Sequence, residues 1–232
     1  MRRECGVVKH GKDLRVDLGR QMTVMTKNQE PIEGRIDEVT AFDLFTIGHS
    51  NHPIERFMDL IMGAGITAVA DIRSLPFSRR SPWFSCKRLG EELARHDIAY
   101  VAMGDALGGR PREPRLFRDG IADYEAMAQR QEFCAGIDRV VGGTERFRIC
   151  LMCAERDPLD CHRCLFVAPA LADRGLRIGH ILGDATIVAH DALERRLMAQ
   201  VEGGDLFRND PAAPRQDAYR RRARAVAFRL KG

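Results

Sequence analysis

Aromatic residues are scarce: they make up 6% of the 232 positions, with a single Trp. That argues against a wall of stacked rings for gripping single-stranded nucleic acid. No apolar run approaches the roughly 20 residues that a membrane-crossing helix needs, so no membrane association is expected. The opening MRRECGVVKHGKDLR holds no apolar core behind its charges and does not read as a secretory signal. The seven cysteines are odd in number, and four of them crowd into residues 150–164. A secreted disulfide framework would be smaller and more evenly stapled, so the pattern points to reduced thiols in the cytoplasm. No internal repeat appears. Nor is the body basic. The chain carries +4, but residues 208–232 alone hold eight basic and two acidic side chains, which leaves about −2 for the rest. A body built to wrap nucleic acid would carry the charge itself.

What is present is ordinary for a globular protein, with 44% hydrophobic and 30% charged residues over a length that suits one domain with extensions. Residues 1–42 are polar and poorly periodic and read as an N-terminal extension, possible disorder included; Met22 and Met25 offer later starts. Residues 43–202 then alternate between strand and helix. Leu44–Ile47, Thr67–Ile72, Ile98–Ala102, Phe147–Met152 and Arg177–Leu182 are short apolar runs of strand type. Helical patterns follow Pro53, cover residues 86–96 and 121–141, run from Cys161 to Arg174, and close at 189–201; residues 103–120 read as a loop. Continuous rather than alternating apolar strands predict an α/β fold: a mostly parallel sheet of about five strands, covered by helices on both faces. Residues 203–232 read as a basic tail, with helix from about 215 onward.

In such sheets ligands bind beyond the carboxyl ends of the strands. The polar groups there are His49 and Ser50, Asp71 and Arg73, Cys153 and Glu155, and His180. At this point the chain resembles a known family. Thr46-Ile47-Gly48-His49-Ser50, Asp71-Ile72-Arg73-Ser74-Leu75-Pro76 with Ser78-Arg79, Leu107-Gly108-Gly109, Cys153-Ala154-Glu155 with Cys161-His162-Arg163, and His180-Ile181 together resemble the DUF488 family over about residues 44–182. The resemblance implies the fold and the place of the site. It implies no reaction, because the family is defined by an unknown function.

Cys153, just past a buried strand, can be a nucleophile if a helix start, Arg163 or a histidine lowers its pKa; a small buried hydrophobe is the plainer reading. A tyrosine-phosphatase loop needs Arg six residues after the cysteine, and Leu159 and Val167 stand there instead. Glu155 and His162 are candidate proton carriers, as is His49. Arg73, Ser78, Arg79, Arg163, Ser50 and His180 are candidate anion ligands, and Gly108 and Gly109 allow a close backbone approach. Alternatively, Asp157 or Asp160 caps a helix while Arg163 pairs with Glu155. Cys150, Cys153, Cys161 and Cys164 form C-x2-C-x7-C-x2-C, the arithmetic of zinc or an iron–sulfur cluster. The first two are three apart on an extended segment, so their side chains point to opposite faces and no metal is favoured.

Residues 71–118 hold ten basic and six acidic side chains near Trp83 and Phe84, a mixture that suits a nucleotide or a phosphate backbone. Asp205–Phe207 faintly matches a sliding-clamp-binding pentapeptide without its leading Gln. The sequence thus supports an enzyme acting on a phosphate-bearing substrate. The alternatives are a non-catalytic nucleotide or nucleic-acid binding module and a metal-held structural module.

Overall fold

The protein is described here by a computed structural model over residues 41–200 and 213–230. A six-stranded sheet runs in the order β3-β2-β6-β1-β7-β8. Its strands are β1 (Leu44–Gly48), β2 (Ala68–Asp71), β3 (Ala99–Ala102), β6 (Ile149–Cys153), β7 (Ile178–Ile181) and β8 (Ile187–Ala189). All pairings are parallel except that of β8, which closes one edge antiparallel to β7. A two-stranded hairpin, β4 (Phe117–Arg118) and β5 (Ile121–Ala122), stands apart.

Side chains alternate across the sheet and so divide the core in two. Phe45, Ile47, Val69, Cys150 and Met152 meet α1 (Ile54–Gly63) and α2 (Cys86–Arg95) on one face. Leu44, Ala70, Leu151 and Cys153 meet α5 (Gln131–Thr144), and also α6 (Ala168–Ala172) with the wide π turn Arg163–Val167 that leads into it. Helix α1 presents Phe57, Met58, Leu60 and Ile61 to the sheet and ends where Gly65 takes φ +67°. Fully buried rings such as Phe57 and Phe84 each contribute about 2–3 kcal/mol of apolar burial.

Several sequence expectations need correcting. The sheet has six strands: residues 187–189 form an edge strand that their brevity concealed. The loop predicted over 103–120 contains the helical turn α3 (Gly104–Leu107) and half of the hairpin. The single helix expected over 121–141 is broken up. Residues 121–122 are strand, Asp123 caps α4 (Tyr124–Ala128) by accepting from Glu125 and Ala126 N–H, and the extended backbone of Arg130 (ψ 137°) separates it from α5.

The tail expected from residue 203 is, over residues 213–230, part of the body. Helix α8 (Ala213–Val226) packs on α7 (His190–Ala199) with Ala218 buried, and ion pairs join Arg215 to Glu194, Arg220 to Glu125, Arg222 to Asp160 and Arg224 to Asp119. Residues 228–230 then lie along the hairpin, with Ala122 N–H donating to the Phe228 carbonyl at 2.9 Å. The charge that reads as a solvated tail is thus matched by acidic partners far away in sequence. Residues 1–40, with Met22 and Met25, and Asp205–Phe207 lie outside the described residues. Among the described residues, no helix is long and apolar enough to cross a membrane.

Candidate active site

Parallel register brings three strand ends side by side, with Gly48 level with Cys153 and Asp71 level with Met152. The ladder continues past the strands: His49 N–H donates to the Cys153 carbonyl and Ser50 N–H to that of Ala154, both at 2.9 Å. The chain leaving β6 folds back over β1, and only glycine permits that crossing. A Cβ on Gly48 would lie 1.8 Å from the Glu155 carbonyl oxygen and 2.8 Å from an Arg163 guanidinium nitrogen.

On one side stands a buried charge network. Asp71 takes Arg73 Nε at 2.8 Å and Nη2 at 2.5 Å, the Arg73 amide at 3.1 Å and the Tyr100 hydroxyl at 2.8 Å. Arg73 also donates to the Phe84 carbonyl at 2.7 Å and, through Nη1, to His49 Nε2 at 3.1 Å. His49 Nδ1 lies 2.9 Å from the Ser50 carbonyl, which can only accept, so Nδ1 carries the proton and Nε2 the lone pair. Its ring stacks on Phe84, 4.3 Å between centroids. Burial, and then the positive Arg73, push the His49 pKa down to about 4. His49 is thereby a neutral acceptor that holds Arg73, with neither nitrogen left for moving protons.

On the other side lies the thiol cluster. Cys153 Sγ donates to Glu155 Oε2 at 2.8 Å, and Cys161 Sγ to the same oxygen at 3.1 Å. His162 Nε2 is 3.1 Å from the Ile72 carbonyl, so that nitrogen carries the proton. Nδ1 is left facing Cys153 Sγ at 3.5 Å and Cys161 Sγ at 3.8 Å. Although burial opposes it, Cys161 and Glu155 raise the His162 pKa, so this nitrogen takes a proton readily beside the sulfurs. A Cβ on Gly109 would come within 2.8 Å of the His162 ring, so the Gly108–Gly109 turn closes directly on the imidazole.

Arg163 lies beneath, 0% exposed, and donates to the carbonyls of Glu155 at 2.6 Å and Arg156 at 3.0 Å; its Nε has no partner. This guanidinium fixes the backbone of the Cys–Glu turn and supplies positive potential to the sulfurs. Burial and the neighbouring Cys161 raise the Cys153 pKa. Burial alone would raise Cys161 too, but the hydrogen bond with Cys153, Arg163 and His162 more than offset it and hold Cys161 low. The two sulfurs therefore titrate as a pair, with the first proton lost easily and the second held.

Both halves face one cleft of about 270 Å³. It is lined by His49, Arg73, Ser78, Gly109, Cys153, Glu155 and His162 from among the residues singled out by sequence, and by Ser74, Leu75, Phe77, Arg110, Tyr124, Asp160, Val226 and Phe228 besides. Besides His180, four expected ligands are not on its walls. Ser50 turns away to Asn51, Arg79 is exposed on its loop, Gly108 packs against Ser74, and Arg163 is sealed behind the turn. The alternative pairing of Arg163 with the Glu155 carboxylate gives way to a bond with the Glu155 carbonyl, while Asp157 caps a short turn through Leu159 N–H at 2.8 Å. Arg110 could have been suspected from its place after the two glycines. Val226 and Phe228 carried no sequence signal, because they arrive through the packing of α8.

His180 is also elsewhere. It is fully buried on β7 and, with His190 and Cys164, forms a second convergent cluster. The four cysteines of the spaced motif are accordingly split. Cys150 faces the opposite side of the sheet, Cys153 and Cys161 join Glu155 and His162, and Cys164 joins the two histidines. In each cluster the ligand-type atoms lie within 4.8 Å of one another, so each could hold a metal, but no set of four cysteines could.

A family profile described as "Domain of unknown function DUF488" matches residues 53–168. No curated protein and no solved structure matches the chain. The matched span holds Asp71, Arg73, Gly109, Cys153, Glu155 and His162. Strand β1 with His49, and the 226–228 segment, complete the cleft from outside it.

Proposed function

The chain belongs to the DUF488 family, whose description assigns no reaction, and from its cleft we propose that it is a cysteine-dependent enzyme acting on a phosphate-bearing substrate. One observation carries this reading. Among the described residues, Cys153 is the cysteine on the cleft wall, with a carboxylate 2.8 Å away and an imidazole whose orientation the Ile72 carbonyl fixes. A nucleophile, a base beside it and a positioned imidazole facing the sulfur are parts that thiol catalysis can use. Glu155 takes the thiol proton as the sulfur bonds to the electrophilic atom of the substrate. The bond to the leaving group breaks and the proton passes to that group, with His162 Nδ1 beside the sulfur throughout. Water then cleaves the thioester-like or thiophosphate-like intermediate. Arg110, with the Ser74 and Ser78 hydroxyls also on the cleft lining, holds the anionic part, while Arg73, bonded to Asp71, His49 and the Phe84 carbonyl, adds positive potential from the wall.

A second reading, a non-catalytic module for nucleotides or nucleic acid, is favoured by the rim. Phe77 is 67% exposed there, and Arg79 and Arg80 are exposed beside it, a surface able to stack a base and meet its phosphates. Incubating the whole protein with a panel of nucleotides and short oligonucleotides separates the two. Product formation lost in Cys153→Ser supports the enzyme. Turnover that survives Cys153→Ser contradicts it. Salt-sensitive binding without turnover, unchanged in Cys153→Ser and Glu155→Gln, favours the module.

A further inference from the structure

The second cluster lies away from the cleft, beneath the C-terminal helices. Cys164 comes from the π turn, His180 from β7 and His190 from the start of α7, and they are 1%, 0% and 5% exposed. Three polar side chains from three elements thus converge beside an apolar cluster that includes Leu159, Leu165, Leu193 and Leu197. Burying polar groups there requires that they be paired, and the pairing holds the three side chains in fixed orientations.

Their hydrogen bonds show those orientations. Tyr219 Oη donates its one proton to Glu194 Oε1 at 2.7 Å, so at His190 Nε2, 3.3 Å away, it can only accept. His190 Nε2 therefore carries the ring proton, and Nδ1 turns a lone pair inward. His180 has its Nδ1 2.8 Å from Thr46 Oγ1, which can donate to it, and its Nε2 inward, 3.1 Å from His190 Nδ1, to which it donates when no ion stands between them. Cys164 Sγ lies 3.9 Å from that same Nδ1, a long contact for a thiol with no nearer partner among the described residues. All three inward atoms lie within 4.8 Å of one another. Each imidazole has its outer nitrogen fixed by an oxygen and its inner nitrogen aimed at a shared point beside a sulfur. That is how metal-binding histidines are oriented by their surroundings.

We propose that Cys164, His180 and His190 bind one thiophilic d10 cation, zinc(II) or copper(I). Binding displaces the Cys164 proton to solvent, and the thiolate and two neutral imidazoles complete the set. The ion ties β7, the π turn and α7 together. Through Tyr219 and Glu194, and the Arg215–Glu194 pair, it also anchors α8, whose end carries Val226 to the cleft.

The test is metal content per chain in full-length protein loaded with zinc(II), or with copper(I) under anaerobic conditions, and then desalted. Cobalt(II) loading reports a thiolate ligand through its charge-transfer absorption. The expected result is one equivalent of zinc or copper in the wild type and in the Cys153→Ser/Cys161→Ser variant, with at least tenfold less in Cys164→Ser and in His190→Gln. The cobalt band should follow the same pattern, and the wild-type band needs no variant to fold. Failure to retain either metal overturns the proposal, as does retention by Cys164→Ser and His190→Gln, or loss only from the Cys153→Ser/Cys161→Ser variant. None of these results depends on turnover at the cleft.

Discussion

Replacing Asp71 with Asn separates structural from chemical roles at the sheet edge. The side chain is 0% exposed and accepts three bonds from Arg73 and one from Tyr100. Asn keeps the shape, removes the charge and turns one acceptor into a donor. An N–H then faces either the Arg73 guanidinium or the Tyr100 hydroxyl. Arg73, itself 6% exposed, is left as a buried cation whose remaining partners are a carbonyl and a neutral imidazole. Breaking a buried pair from one side costs about 3–5 kcal/mol, a large share of the ~5–15 kcal/mol that holds a typical domain folded. Urea unfolding followed by the fluorescence of the single Trp83 measures it, since that indole is partly buried and bonded to the His52 carbonyl. Asp71→Asn combined with Arg73→Met should cost no more than Asp71→Asn alone, because no orphan charge remains. A loss under about 1 kcal/mol for Asp71→Asn, or a double variant much weaker than the single, refutes the buried network.

Gly48→Ala should destabilise by about 3 kcal/mol or more, because the new methyl meets backbone rather than a side chain that can move; urea midpoints near wild type contradict this. Gly109→Ala pushes on the His162 ring at 2.8 Å, so thiol reactivity at Cys153 should fall with a smaller loss, about 1–3 kcal/mol, of stability; unchanged reactivity counts against the role of His162. His49 has its pKa lowered to about 4 from 6.5, so the folded state refuses a proton that the unfolded chain accepts. Its contribution is complete above about pH 6.5 and falls by about 3 kcal/mol as pH drops toward 4. Unfolding measured across that window should be less pH-dependent in His49→Gln, and an identical slope rejects the assignment. Arg222→Ala removes a half-exposed pair with Asp160 and should cost only about 0.2–1 kcal/mol, read from thermal unfolding; a much larger loss means that α8 depends on that pair.

The strands of the parallel core can be read from sequence because burial on both faces writes them as continuous apolar runs, such as Ile149–Met152, and their carboxyl ends mark the site. Residues 187–189 escaped because three residues at an edge produce no run. The break at Arg130 escaped because helix propensity on either side is unbroken, while the Asp123 cap that starts α4 is a local signal that could have been used. The cleft's far wall was beyond reach. Arg220, Arg222 and Arg224 read as solvated charge until their acidic partners, about 60 to 100 residues away, are known. The division of the cysteines was half readable: alternation along β6 separates Cys150 from Cys153, but nothing local tells that Cys164 turns toward His180 and His190.

The most direct test of the cleft is the rate at which iodoacetamide modifies each cysteine of the native protein, mapped by mass spectrometry. Cys134 is exposed, and its sulfur bonds only to a backbone carbonyl, so it serves as the internal standard for an ordinary thiol. Cys153 alone is held protonated, but it shares the easily lost first proton with Cys161. It should therefore be alkylated faster than Cys134 despite being 2% exposed, and that advantage should disappear in Cys161→Ser. Modification of Cys153 at or below the Cys134 rate would mean that the thiol is not activated, and the catalytic reading falls.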